Sequence, residues 1–388
     1  MGRRGLILPA FAWALTCPAR ASDLSRELLQ EQLPADGVIE PLGVRPDFID
    51  RPGRGVYWRR RSAVGVHALY YALHFAGLHD ASGATWRFRV EAPDGTQLFS
   101  FASSDDRSGD FWTPDLHADQ LVFVIESDRK PTGLTFAIDR WLIADPKPAI
   151  RSILVPGDSK LEPIAKYRNV ASVWTPGRAV AKLEVKGDTR RYSCTGFLIA
   201  DDEVLTNEHC IPLSIPLRTP GACEDAIDIL FEYDTDDATP RRFRCDQVLA
   251  KSAGLDYAVL RVAGTPGHDL GVLRLERTRS PAGGEDGDPL FVIQHAGGGA
   301  KTVAKQRCRA DRVGVPGVET GGTDQDFDHI CDTLGGSSGS PVLDRSGRVI
   351  GLHHFGFSDD AAVRRNQAVL MARVVASFPA DVVSTLAP

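Results

Sequence analysis

The sequence predicts an all-β protein in two β-rich parts. Short apolar or alternating runs recur along the chain, at residues 86–90, 121–125, 195–199, 257–262 and 290–295 among others. Turn signals separate them, such as Pro93-Asp94-Gly95, Pro131-Thr132-Gly133 and Gly264-Thr265-Pro266-Gly267. Spaced strands without a long helical repeat point to sandwiches or barrels. A stretch rich in proline and lysine, over residues 144–168, divides the two parts.

Taken in order, the chain opens on a basic Met1-Gly2-Arg3-Arg4 and a mostly apolar run from Gly5 to Thr16. Ala19-Arg20-Ala21 follows as a small-x-small cleavage site. This pattern predicts a secretory signal peptide over 1–21, cut near Ala21, and an exported mature chain. The apolar run is too short to span a bilayer, and no other stretch qualifies. Residues 22–150 form the first part. A helix is expected near Ser25, then strands at residues 57–58, 64–66, 68–71, 86–90 and 121–125, which imply a β-sandwich-like accessory or pro-domain. Its histidines (His67, His74, His79 and His117) have no metal-ligand spacing, so they read as structural or surface groups and no metal is expected. The linker spans 151–168, with Lys160 and Lys166-Tyr167-Arg168 as candidate processing sites.

From residue 169 to 388 the strands resume, at 171–174, 179–183, 195–199, 203–206, 227–233, 242–248 and 257–262, then at 273–275, 290–295, 303–306, 340–343 and 349–354. The tail 366–386 has apolar residues at helical spacing (Val369, Leu370, Val374, Val375). The acidic turn from Glu232 to Asp237 lacks the glycine and spaced glutamate of a calcium loop and reads as solvated.

The chain has 388 residues, 43% hydrophobic and 25% charged, ordinary for a globular protein able to bury a sizeable core. A net charge of -6 offers no basic footprint for nucleic acid and no polybasic patch for a membrane. Of the seven cysteines, Cys17 falls in the leader. The remaining six are an even set, which fits three bridges in an oxidising compartment. Proximity along the chain suggests Cys223–Cys245 and Cys308–Cys331, although six cysteines allow fifteen connectivities.

The chemistry concentrates in three places. Gly335-Gly336-Ser337-Ser338-Gly339-Ser340-Pro341 sets a small hydroxyl in a tight, glycine-rich turn. Such a turn can aim backbone N–H groups at one developing oxyanion. Thr206-Asn207-Glu208-His209-Cys210 follows a strand, and Asp256 opens the strand Tyr257-Ala258-Val259-Leu260. A serine hydroxyl needs a base, and a histidine with pKa near 6.5 can take its proton and return it. The order His209, Asp256, Ser338 is one in which the serine–histidine–aspartate triad occurs.

In these motifs the sequence resembles the chymotrypsin-like serine proteases, over roughly residues 165–388. The similarity is greatest to the secreted bacterial branch of glutamyl and lysyl endopeptidases. The resemblance implies a double β-barrel with a C-terminal helix, a cofactor-free hydrolase acting on protein or peptide substrates, and a monomer. It implies His209, Asp256 and Ser338 as catalytic residues. The nucleophile is Ser338 because Gly-x-Ser-Gly-x-Pro fits only Gly336, Ser338, Gly339 and Pro341. The oxyanion hole would be the N–H groups of Gly336 and Ser338, and Cys194 would pair with Cys210. Ser337 replaces the aspartate that receives the new N-terminus in animal trypsins, so any activation must differ.

The pocket wall would include Asp332, Thr333, His353, His354 and Gly356. Asp332 stands where trypsins carry an aspartate, which implies Arg or Lys specificity. Thr333 and His353 stand where glutamyl endopeptidases bind glutamate. These signals conflict, because a pocket carboxylate repels an acidic substrate. The flanking pattern is closer to the glutamyl branch, so Glu or Asp is expected, with Arg or Lys the alternative. An esterase using the same site, or a protease-like binding or toxin module acting through its N-terminal domain, are further alternatives.

Overall fold

A computed structural model describes residues 35–62, 71–105, 108–114, 116, 118, 120–144, 152–153, 159–187, 190–317, 324–356 and 365–387. The predicted leader, the helix near Ser25, the strand at 64–66, His67 and His117 lie outside them.

The first part is a sandwich. Strands β1 (Ala35–Val44), β2 (Gly55–Arg61), β3 (Tyr71–Asp80), β4 (Trp86–Glu91), β5 (Gln97–Ala102), β6 (Gly109–Trp112), β7 (Val122–Ser127) and β8 (Leu134–Ala144) make two sheets. Their orders are β1-β8-β3-β6 and β2-β7-β4-β5. Alternation explains the burial: on β4, Trp86, Phe88 and Val90 face the core while Arg87 faces out. Aromatic rings fill the interior, with Phe75 stacked on Phe111 at 4.7 Å and edge-on to Phe88 and Phe101. His74 is buried with Nδ1 2.6 Å from Asp139 Oδ1, and His79 is exposed.

Two short strands lie in the stretch expected to be a linker. These are β9 (Ser152–Ile153) and β10 (Leu161–Pro163). A helix follows, α1 (Ala171–Arg178), where a strand is expected at 171–174. Val173 and Gly177 face inward four residues apart, one helical turn, and the intervening residues face out or lie half-buried.

The six strands β11 (Val180–Lys186), β12 (Arg190–Ala200), β13 (Glu203–Thr206), β14 (Ile227–Phe231), β15 (Arg241–Ser252) and β16 (Tyr257–Val262) run in the order β11-β14-β15-β16-β13-β12. Pairing of β12 back to β11 closes this first barrel. The crossing holds a one-turn helix, α2 (Pro266–Leu270). The second barrel contains β17 (Leu290–Gln294), β18 (Thr302–Ala304), β19 (Ala310–Val315), β20 (Asp326–His329), β22 (Pro341–Asp344), β23 (Val349–Gly356) and β24 (Asn366–Leu370), with the two-residue β21 (Thr333–Leu334) beside it. The order is β10-β18-β17-β22-β23-β24-β20-β19, and a bridge between Pro289 and Arg309 brings the two sides together. Residues 273–275, expected as a strand, make only an isolated bridge between Leu275 and Val349.

The parts are not joined by a free tether. β1 pairs with β8 on one side and with β12 on the other, so the sandwich sheet runs into the first barrel. β10 pairs with β18, and β9 pairs with β21, just ahead of Ser338. The tail predicted as one helix over 366–386 begins as β24 and continues as two helices, α3 (Met371–Ala376) and α4 (Ala380–Thr385). Pro379 separates them, since proline has no N–H to continue the first. Bonds from the Tyr257 hydroxyl to Ser377 O (3.2 Å) and from Thr385 Oγ1 to Glu203 Oε2 (2.8 Å) hold the tail on the first barrel. Disulfides join Cys194–Cys210, Cys223–Cys245 and Cys308–Cys331.

Candidate active site

The site lies where the two barrels meet. β13 ends at Thr206, and the chain leaves it through Asn207 and Glu208 to His209. Cys210 anchors this turn to β12 through the bond to Cys194. Asp256 sits just before β16, with φ +42, a left-handed conformation uncommon for a residue with a side chain. The Asn207 side-chain amide donates to the Asp256 carbonyl at 2.7 Å and holds that turn. Strain of this kind persists where the surroundings over-determine it.

The Asp256 carboxylate accepts twice from His209. Oδ1 takes the backbone N–H at 3.0 Å, and Oδ2 takes Nδ1–H at 2.7 Å. Both residues are buried. Burial alone would raise the Asp256 carboxyl, but His209, and after it His354, hold it well below the usual range. An ionised Asp256 holds the proton on Nδ1, which leaves the Nε2 lone pair of His209 able to accept one.

The Ser338 turn is clamped from β12 of the first barrel. Thr195 N–H donates to Ser338 O at 2.8 Å, and Thr195 Oγ1 donates to Gly336 O at 2.8 Å. Thr206 Oγ1 in turn donates to Thr195 O at 2.8 Å. One chain of bonds thus ties the serine turn to the strand that leads into His209. Gly336 and Gly339 have φ of +91 and +84. Among the described residues, the N–H groups of Gly336 and Ser338 meet no acceptor. They are therefore available to an oxyanion. A Cβ on Gly339 would collide with Thr195 O and Thr206 Oγ1. Gly339→Ala is accordingly expected to cost about 3–5 kcal/mol of stability, from backbone strain plus overpacking. Chemical denaturation of the variant checks this; a loss under ~1 kcal/mol would mean the turn relaxes freely.

Residues 194–352 match the model of the trypsin-like peptidase domain. That stretch is a trypsin-like peptidase domain. Such a domain is that of a serine endopeptidase, a hydrolase. A curated relative, secreted RxLR effector protein 73 of Plasmopara viticola, is 28% identical over 218 residues, 52% of this chain and 51% of its own. The chain thus spans about half the length of that relative. A solved Glu endopeptidase matches with TM-score 0.43 and 20% identity, over 57% of this chain and 95% of its own. The active form of the Rv3671c protease of M. tuberculosis matches with TM-score 0.40 and 23% identity, over 60% and 92%.

The pocket residues of the peptidase domain divide. Asp332 is buried, and its Oδ2 accepts the backbone N–H of Lys160 at 2.7 Å. Its carbonyl accepts from Gln294 Nε2 at 2.9 Å. Thr333 Oγ1 donates to Asn366 Oδ1 at 2.9 Å, and Asn366 Nδ2 donates to Cys331 O at 2.6 Å. That second bond fixes the amide, so the Thr333 proton is committed to Asn366. Gly356 pairs with Asn366 in the β23–β24 ladder.

His353 and His354 are neighbours on β23 at a break in its ladder: His353 pairs with Ala368 and Phe355 with Gln367, so His354 is the extra residue of a bulge. His353 Nδ1 lies 3.2 Å from His329 Nε2, and Cys331 N–H donates to His329 Nδ1 at 3.3 Å. The Cys331 bond makes His329 Nδ1 an acceptor, so His329 donates through Nε2 to His353 Nδ1. His353 then carries its own proton on Nε2. Burial first, then the charge of His354, hold His329 down at about 3; burial, then His329, push His353 well below its ordinary value. Both rings are neutral near pH 7. His354, expected in the pocket wall, instead turns its ring nitrogens to Asp256 and Asp326. Sequence reasoning did not find His329, Asp326 or Asn366. The run Asp326-Phe327-Asp328-His329 has the polar look of a loop, although all four residues are buried.

Proposed function

We propose that this chain is a secreted serine endopeptidase that cleaves through an acyl-enzyme, with Ser338 as nucleophile, His209 as general base and Asp256 as its orienting carboxylate. Gly336 and Ser338 N–H groups bind the oxyanion. The observation that carries this reading is the buried His209–Asp256 pair at 2.7 Å, tied through Thr206 and Thr195 to the Ser338 turn. In acylation Ser338 Oγ attacks the scissile carbonyl while its proton passes to His209 Nε2, and His209 then protonates the leaving amine. Water repeats the cycle in deacylation. No step calls for a cofactor.

Secretion is supported by the leader-like first 21 residues and by three disulfides, bonds that persist in oxidising compartments. Among the described residues no helix is long and apolar enough to cross a membrane.

A preference for Glu or Asp before the scissile bond is favoured by two features. The Asp332 carboxylate is engaged by Lys160 N–H, which lessens the conflict with an acidic substrate. The His329–His353 relay leaves His353 neutral, and its ring also bonds the Gln367 backbone, so it presents no negative charge to an acidic substrate. Thr333 adds little, its proton being committed to Asn366.

The test has two arms on the secreted protein. A fluorophosphonate reagent should label Ser338, read by peptide mass spectrometry. A mixed peptide library should be cut after Glu or Asp, and Asp332→Asn should leave that preference unchanged. Cuts after Arg or Lys that vanish in Asp332→Asn would make Asp332 the pocket charge. An absence of both label and cleavage in the folded protein would leave the binding-module alternative.

A further inference from the structure

The triad as proposed has no task for His354, yet its ring lies against two carboxylates. Nε2 is 3.0 Å from Asp326 Oδ2, and Nδ1 is 3.3 Å from Asp256 Oδ2. The second contact is an ion pair somewhat off the line of a well-directed hydrogen bond. All three side chains are 1–2% exposed, so water does not separate them. A neutral imidazole has one N–H. It would leave its other nitrogen's lone pair facing a carboxylate lone pair. An imidazolium presents a proton to each carboxylate and offsets one of two buried negative charges.

We infer that His354 is a positioning residue of the peptidase site: an imidazolium that ties Asp256 to Asp326 and so fixes the carboxylate that holds His209. The inference rests on the reading of Asp256, His209 and Ser338 as a triad. With it, Asp256 is held by two donors from His209 and by the charge of His354 on β23. The carboxylate cannot swing, and neither can the ring it holds.

The charge has a second consequence. Burial alone would discharge His354; Asp326, and then its bonds to Asp256 and Asp326, reverse this and raise it to about 10. The other titratable groups around it are His329 and His353, both neutral near pH 7, and His209 across Asp256. A permanent cation on the far side of Asp256 opposes protonation of His209.

Two measurements on the full secreted chain test this. Nitrogen-15 spectra of histidine-labelled protein should show one imidazole protonated on both nitrogens from pH 6 to 9, and that signal should be missing from His354→Gln. A neutral His354 at pH 7 overturns the inference whether or not the protein is a peptidase. The second is the pH profile of kcat/KM. His354→Gln should move the acid limb up by about one unit. It should also lower kcat about tenfold or more, as loss of an outer-shell partner does, with KM changed far less. The double variant His354→Gln/Asp326→Asn removes both buried charges, so it folds if charge imbalance alone harms the single variant, and its limb should be displaced less. If His354→Gln labels with fluorophosphonate and keeps the wild-type limb and kcat, the inference fails while the peptidase reading stands. If wild-type Ser338 does not label, it is the peptidase reading that fails, and the spectra still report His354.

Discussion

Ser338→Ala is expected to lower kcat on a peptide substrate by about 10⁶-fold and to leave stability within about 0.5 kcal/mol. In the proposed mechanism the hydroxyl oxygen forms the acyl bond, so without it no covalent intermediate exists and only oxyanion stabilisation and binding persist. The backbone of the turn does not depend on that hydroxyl. Its anchors are Ser338 O to Thr195 N–H and Gly336 O to Thr195 Oγ1, and alanine keeps both. The neighbouring serines cannot take over. Ser337 and Ser340 are fully buried at 0% exposure, whereas Ser338 retains 7%. Ser337 Oγ also accepts the Leu334 N–H at 3.1 Å. Pre-steady-state assays with excess activated ester give the cleanest reading: the wild type should show a burst of leaving group and the variant none. A variant with more than about a tenth of wild-type kcat would remove Ser338 from the mechanism.

Much of this was readable in the chain because the chemistry is written locally. The Gly336–Ser338–Gly339 turn, the His209-Cys210 pair after a strand, and Asp256 before one each need particular residue types within a few positions. Chain proximity pointed to Cys223–Cys245 and Cys308–Cys331, and the family resemblance to Cys194–Cys210; all three bonds are present. What the chain hid was pairing across long separations. Nothing around Gly37 announces that β1 will pair with Arg191, and nothing around Ser152 announces β21. His354 was misassigned for a related reason. Its partners Asp326 and Asp256 come from distant parts of the chain, and the bulge of β23 that falls at His354 is not announced by the local sequence. Polar strands misled most: Asp326–His329 is wholly buried because arginine, histidine and backbone partners satisfy it, which no hydropathy pattern reveals. The helix α1 was missed because four residues are too few to separate a period of two from one of 3.6.

Asp256→Asn should lower kcat/KM by about 10⁴-fold at neutral pH. Asparagine fills the same volume but has one acceptor oxygen where the carboxylate has two. Both carboxylate oxygens are used by His209, Oδ1 by the backbone N–H and Oδ2 by Nδ1. If the amide oxygen keeps the backbone bond, its NH₂ faces Nδ1 and donates to it. The ring proton then moves to Nε2, and His209 can no longer accept from Ser338. The amide also turns a donor toward the His354 cation, 3.3 Å from the oxygen it replaces, so the two strands are held less firmly as well. Loss of the carboxylate removes the counter-charge of the imidazolium that forms during the reaction. The acid limb of the pH profile should therefore move down, opposite to the shift expected for His354→Gln. Activity should recover partly at high pH, where hydroxide competes for the serine proton. A profile of unchanged shape with only a small loss would mean that Asp256 neither sets the tautomer of His209 nor supplies its charge.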